Sequence, residues 1–166
     1  MNLKKAPELI TTEWVNGGDV PPSLASLSGR VILLECFQML CPGCVSHALP
    51  QARRADLAFR KQGLVVLGLH SVFEHHEAQG HRAALAAFMH ENRITFPVGI
   101  DAPATSGIIP QTMTRYGMQG TPTSILIDAG GHVRLQRFGS ITDLELGAAI
   151  GSLLNEAGQP GASTRP

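Results

Sequence analysis

Two uninterrupted apolar runs dominate the first half of the chain. Residues 31–34 and 64–69 are apolar without alternation, which is typical of strands buried on both faces of a sheet. Between them, apolar residues recur at helical spacing, so we predict a helix from about Pro42 to Gln62 with a kink at Pro50. A strand, a helix and a second strand of these lengths form a βαβ unit. The pattern therefore predicts an α/β fold.

Shorter elements are predicted on either side of this unit. Thr142 and Glu145 have the spacing of a capping box that begins the last helix. Nothing in the pattern divides the chain, so we expect a single domain over residues 1–157 and a disordered tail over 158–166, which is rich in Gly, Pro, Ser and Thr. The other predicted elements are a short strand near Trp14, a helical turn at 23–27, a polar loop at 71–80, a helix at 81–92, an extended segment at 96–100, a short helix at 110–117, strands at 124–128 and 132–138, and the last helix at 142–154.

Charge and composition exclude several classes of function. The formal net charge at pH 7 is zero, so we expect no nucleic-acid partner and no attraction to an anionic membrane surface. No apolar stretch approaches the roughly 18 residues of a membrane span. Residues 1–8 carry two lysines without an apolar run behind them, so we expect no secretory signal and a cytoplasmic protein, or a bacterial periplasmic one if a signal was removed.

Cys41 and Cys44 carry the candidate chemistry. They lie one helical turn apart, where the first apolar strand meets the predicted helix. Unpaired backbone N–H groups and the helix dipole favour a thiolate at such a position. The pKa of a thiol there can fall from about 8.5 to roughly 3.5–7.5. We predict a dithiol/disulfide pair in which Cys41 is the exposed nucleophile and Cys44 lies behind it.

The order of the elements, the CxxC at a strand-to-helix junction and the later Thr121-Pro122 resemble a thioredoxin fold. Further segments are similar to the TlpA/ResA-like thiol–disulfide oxidoreductases, and in particular to the thioredoxin-like domains of DipZ and NHL-repeat proteins. The resemblance covers about residues 6–155. It implies a central mixed β-sheet flanked by helices, with an N-terminal extension and a helical insertion. The segments that carry the closer similarity are 6–17, 23–31, 68–74 and 96–101.

The resemblance implies roles for the four residues of the CxxC. Cys41 attacks a disulfide of a partner, and Cys44 resolves the mixed disulfide. Pro42 and Gly43 lie between them, where the family sets the redox potential. Pro42 suits a helix start because its missing N–H would be unpaired there in any case.

The resemblance also implies a substrate-binding loop and a class of partner. Thr121-Pro122 matches the cis-proline loop of the family, which turns the backbone of Thr121 toward the dithiol, where it can pair with an extended peptide. The expected substrates are protein thiols and disulfides. The expected protein is a monomer that uses neither a metal nor an organic cofactor.

Glu35 lies six residues before Cys41, where thioredoxins carry a buried acid beneath the dithiol. Burial raises the pKa of a carboxyl group, and such a group can take the proton from Cys44 during resolution. Two plainer interpretations stay open: a glutamate at the surface, or a buried glutamate satisfied by hydrogen bonds.

Three residues depart from the pattern of the family or add to it. Leu40 replaces the tryptophan that usually precedes the first cysteine, so an aromatic cover is missing or is supplied by Phe37. Pro50 lies six residues after Cys44 instead of five, which predicts a bulge or a shifted kink. Cys36 is expected to be a small side chain of the core; the alternative is a second disulfide, which needs suitable geometry.

The histidines allow a plain interpretation and a functional one. His70, His75, His76 and His81 fall within twelve residues, and we expect exposed imidazoles in a polar loop; the alternative is a metal site. His47 follows Cys44 by one helical turn. It is expected to be an ordinary surface residue, or else to affect the pKa of a thiol.

Two alternative functions use the same fold. A peroxiredoxin-like thiol peroxidase usually has Thr or Ser three residues before its reactive cysteine, whereas Gln38 precedes Cys41 at that distance. A copper-binding assembly module commonly has three residues between its cysteines, whereas this chain has two. Thiol–disulfide exchange is therefore the leading hypothesis.

Overall fold

The computed structural model describes residues 3–158, which form one sheet with helices on both faces. Its strands are β1 (Thr11–Val15), β2 (Val31–Phe37), β3 (Leu64–His70), β4 (Val98–Asp101), β5 (Thr123–Ile127) and β6 (Val133–Phe138). They lie side by side in the order β1, β4, β3, β2, β5, β6. β2, β3 and β4 are parallel, whereas β1, β5 and β6 run antiparallel to their neighbours. This mixed sheet is the one expected of a thioredoxin fold.

The helices also follow the sequence pattern, with one addition. They are α1 (Leu49–Phe59), α2 (His76–Gln79), α3 (Arg82–Glu91), α4 (Gln111–Tyr116) and α5 (Asp143–Gly158). α2 is a short helix inside the segment predicted to be a polar loop. The capping box of α5 is confirmed, because the backbone N–H of Glu145 donates to Thr142 Oγ1 at 3.2 Å and the N–H of Thr142 donates to Glu145 Oε2 at 3.1 Å.

The helix predicted from Pro42 to Gln62 is present but not uniform. A π-helical turn, Cys44–Ala48, precedes α1, and a 3₁₀ turn, Arg60–Gln62, follows it. A π-helical turn holds one residue more than an α-helical turn. It therefore accommodates the additional residue between Cys44 and Pro50, and the predicted bulge is confirmed.

The sheet has an apolar cluster on each face. α1, α3 and α5 pack on one face, against Leu33 and Phe37 of β2. α4 and the N-terminal segment pack on the other face, against Leu34 and Cys36. Because side chains alternate along a strand, Glu35 lies on the same face as Leu33 and Phe37.

Two further expectations concern the C-terminal tail and membrane-spanning segments. Gly158 ends α5, and the rest of the tail predicted at 158–166 lies outside the described residues. Within residues 3–158, no helix is both long and apolar enough to cross a membrane.

Candidate active site

The two cysteines follow the end of β2. β2 ends at Phe37, and the chain turns through residues 38–40 before the helix begins. Cys41 and Cys44 are joined as a disulfide, with their Cα atoms 5.2 Å apart. Cys41 is half-buried, whereas Cys44 is completely buried. Another protein can therefore reach the first sulfur but not the second.

Two backbone groups lie against Cys41 Sγ and act in opposite directions on a negative charge there. The backbone N–H of Cys44 donates to Cys41 Sγ at 3.3 Å. Such N–H groups at a helix start stabilise a thiolate. On the other side, the carbonyl oxygen of Thr121 lies 3.5 Å from Cys41 Sγ, where it can accept a hydrogen bond from a thiol but repels a thiolate.

The loop before β5 forms the wall opposite the cysteines. The Thr121-Pro122 peptide bond is cis, as the resemblance implies. A Cβ atom on Gly43 would lie 3.5 Å from Pro122 Cδ, so the CxxC turn and the proline are in near contact. Pro42 and Gly43 are exposed. The structure thus brings together the sequence-predicted dithiol and Thr-Pro loop.

Glu35 is buried in the middle of β2, with 1% of its surface exposed. The Ser124 hydroxyl on β5 donates to Glu35 Oε2 at 2.7 Å. Within residues 3–158, Oε1 is buried and has no hydrogen-bond partner. Burial raises the pKa of Glu35 to about 7, and the bond from Ser124 opposes this shift. The surface interpretation of Glu35 is therefore wrong.

Neither Leu40 nor Phe37 provides an aromatic cover over the dithiol. Leu40 is 55% exposed at that position. Phe37 is completely buried, and its ring packs against His70 with the centroids 5.3 Å apart. Phe37 is therefore a core residue and not a cover.

Cys36 points away from the dithiol and into the opposite face of the sheet. It is buried and free, and its thiol donates to Ser71 Oγ at 3.2 Å. Ser71 in turn donates to Asp101 Oδ2 at 2.7 Å. Burial raises the pKa of the Cys36 thiol, the bond with Ser71 lowers it, and the nearby Asp101 charge raises it further. The expected core role of Cys36 is confirmed.

The expectation of exposed imidazoles is wrong for His70. This residue ends β3, and burial lowers its pKa to about 4 against the opposing effect of a hydrogen bond with Gln79. His47 Nε2 lies 3.0 Å from the carbonyl oxygen of Ile141. Within residues 3–158, no three His, Cys, Asp or Glu side chains are grouped so that they could hold a metal ion. The exposed histidines of the predicted loop and its end are His75, His76 and His81.

Two buried glutamines that no sequence pattern indicates link the segments of the site by hydrogen bonds. Gln38 and Gln79 are each only 1% exposed. Gln79 Nε2 donates to Gln38 Oε1 at 3.1 Å and to the carbonyl oxygen of Glu74 at 2.8 Å. Gln79 Oε1 accepts from the N–H of Leu40 at 3.2 Å. Gln38 Nε2 donates to Thr121 Oγ1 at 3.5 Å and to Glu74 Oε1 at 3.4 Å. The pair thus joins the segment before Cys41 to the insertion that contains α2.

Comparison with protein families and curated proteins agrees with this geometry. The profile of the AhpC/TSA family matches residues 3–136. The Protein DipZ sequences of Mycobacterium bovis and Mycobacterium tuberculosis are 31% identical over 170 residues, which cover 97% of this chain. The chain spans 23% of the length of these curated relatives.

Solved structures extend the similarity over the whole fold. A crystal structure of a thioredoxin-like superfamily protein is 47% identical, with a TM-score of 0.87 over 98% of this chain and 99% of that one. A thiol-disulfide isomerase from Corynebacterium glutamicum is 43% identical, with a TM-score of 0.82 over 90% of this chain and 96% of that one. The resemblance to thioredoxin-like thiol–disulfide oxidoreductases is thereby confirmed.

Proposed function

Because this chain belongs to the AhpC/TSA family and has a thioredoxin-like fold, we propose that it exchanges disulfides with protein partners through Cys41 and Cys44. One observation carries the proposal. The half-buried Cys41 and the completely buried Cys44 form one disulfide, and Cys41 Sγ lies 3.5 Å from the carbonyl oxygen of Thr121. This asymmetry provides one sulfur to meet a partner and one to release it.

The bonds and electrons of this exchange balance without a cofactor. In the reducing direction, the Cys41 thiolate attacks one sulfur of the partner's disulfide, and the partner's other sulfur leaves as a thiolate. Cys44 then loses its proton and attacks Cys41 Sγ. The Cys41–Cys44 disulfide forms, the partner's first sulfur leaves, and two electrons have passed to the partner. The reverse sequence oxidises a partner dithiol.

Glu35 is the proposed acceptor of the Cys44 proton. Its carboxyl lies on the face of the sheet whose core includes Cys44, and its Oε1 has no partner among residues 3–158. With a pKa of about 7, the group is present in both protonation states near neutral pH. It can therefore accept a proton in one turnover and return it in the next.

The proposed contact surface for the partner consists of Thr121, Pro122, Pro42 and Gly43. Pro42 and Gly43 are exposed next to Cys41, the carbonyl oxygen of the half-buried Thr121 lies 3.5 Å from Cys41 Sγ, and Pro122 is buried beside Gly43. An extended segment of the partner can therefore lie along Thr121 while its disulfide meets Cys41.

An insulin-reduction assay with dithiothreitol as the final reductant tests the proposal. We expect the Cys41→Ser variant to lose the catalysed rate, because no other sulfur at the site is exposed. Cys36→Ala is the matched control, since Cys36 lies on the other face of the sheet, and it should keep the rate. A fully active Cys41→Ser variant would overturn the assignment.

Two further assays on the same protein preparation distinguish disulfide exchange from the two alternative functions. A thiol peroxidase in its reduced form would consume hydrogen peroxide catalytically, and a copper module would bind Cu(I) at a tight site of defined stoichiometry. We expect neither result. Either one, together with inactivity toward insulin, would replace disulfide exchange as the function.

A further inference from the structure

Glu74 carries a negative charge that the fold holds at the rim of the dithiol site. Its backbone oxygen accepts a 2.8 Å hydrogen bond from the buried Gln79, and its Oε1 accepts from Gln38 Nε2 at 3.4 Å. The residue itself is exposed. In the part of the chain that the structure describes, its carboxylate takes part in no ion pair. The charge is therefore oriented by the protein and open to a partner.

The same buried amide connects this charge to the partner-binding loop. Gln38 Nε2 has two hydrogens, which allows it to donate to Glu74 Oε1 and to Thr121 Oγ1 together. The carbonyl oxygen of Thr121 lies 3.5 Å from Cys41 Sγ. A peptide that runs along Thr121 to reach Cys41 must therefore pass close to the Glu74 carboxylate.

We infer that Glu74 is a specificity-determining residue that favours partner segments with a basic side chain beside the reacting cysteine. The inference rests on the proposed disulfide exchange and names a class of substrate for that site. An exposed ion pair is usually weak, partly because two flexible side chains must be ordered to form it. Here the buried glutamines already restrain Glu74, so less conformational entropy is lost when the ion pair forms. An acidic side chain at the same place meets repulsion instead.

Three disulfide-bonded peptides that differ in one residue beside the cysteine test the inference. That residue is Lys, Ala or Glu, and kcat/KM for reduction is measured for each at low ionic strength. We expect the wild-type protein to prefer the Lys peptide over the Glu peptide roughly fivefold. The Glu74→Gln variant keeps the size of the side chain and removes its charge, so the preference should vanish.

Glu77→Gln is the matched control. Glu77 is also an exposed acid of the insertion, but it makes no side-chain hydrogen bond to Gln38 or Thr121, so its variant should keep the wild-type preference. Equal rates for the three peptides with wild-type protein, or an unchanged preference in Glu74→Gln, would overturn the inference alone. Failure to reduce any peptide would overturn the proposed function instead.

Discussion

At the scale of single residues, Glu35 is the group whose position most needs a functional explanation. It pairs in register with Ser124 on β5 and Gly68 on β3, in the centre of the sheet. One carboxylate oxygen accepts the Ser124 hydrogen bond, and the other has no partner among residues 3–158. Burying a polar group without a partner is costly. A proton acceptor that must change its charge during turnover would account for that cost.

The raised pKa of Glu35 predicts a pH dependence of stability. Between pH 4.5 and about 7 the unfolded chain has lost the proton that the folded protein keeps, so rising pH favours unfolding. The contribution of Glu35 to the free energy of unfolding should fall by about 3 kcal/mol over this window and then level off, while the lowered pKa of His70 acts in the opposite direction. Urea denaturation at several pH values should show this fall in the difference between wild type and Glu35→Gln, because His70 is present in both proteins. Equal pH profiles would contradict the raised pKa.

The same substitution predicts a kinetic effect. Glu35→Gln cannot accept the Cys44 proton, so resolution of the mixed disulfide should slow roughly 10²-fold, the lower end for general base catalysis. Attack by Cys41 should be little affected. Single-turnover kinetics between pH 6 and 8 can separate the two steps. A resolution rate that matches wild type, with the same pH profile, would remove Glu35 from the mechanism.

At the scale of elements, the junction between β2 and the following helix fixes the site. The π-helical turn Cys44–Ala48 begins at the buried cysteine and precedes Pro50. The π-helical turn contains the additional residue between Cys44 and Pro50, so the helix can still begin beside the Thr121-Pro122 loop. α5 packs on the same face of the sheet, and its capping box lies just after Ile141, whose carbonyl contacts His47.

The capping box of α5 predicts a stability effect that is separate from catalysis. Thr142→Ala removes the hydroxyl that accepts from the Glu145 N–H, and should cost about 1 kcal/mol of unfolding free energy. Thr105→Ala in the exposed loop before α4 is the control and should be neutral. Urea denaturation measures both. No loss in Thr142→Ala would show that the cap contributes nothing to folding.

At the scale of the whole molecule, local patterns were sufficient for the strands, for every helix except α2 and for the dithiol. The apolar runs of β2 and β3, the CxxC between them and the capping box of α5 are each visible within a few neighbouring residues. The burial of Glu35 was implied by the resemblance to thioredoxins and by its place between Leu34 and Cys36 at the end of such a run, although a surface position stayed open. These features were predictable because burial and helix initiation depend mainly on local sequence.

Contacts between distant segments were not predictable in this way. Gln38 and Gln79 are 41 residues apart, and no local pattern marks them as partners. The position of Gln38 between the buried Phe37 and Met39 was the only available indication. His70 was assigned to an exposed loop because β3 continues one residue beyond its apolar run. Tertiary packing decides such positions.

The central claim is that Cys41 attacks the partner and Cys44 resolves the product. The most direct test is to incubate the reduced Cys44→Ser and Cys41→Ser variants with a disulfide-bonded peptide and to map adducts by mass spectrometry. We predict a stable peptide adduct on Cys41 in the first variant and no adduct in the second, where the two remaining thiols, Cys36 and Cys44, are buried. An adduct on Cys44 of the Cys41→Ser variant, with none on Cys41 of the other, would contradict the account.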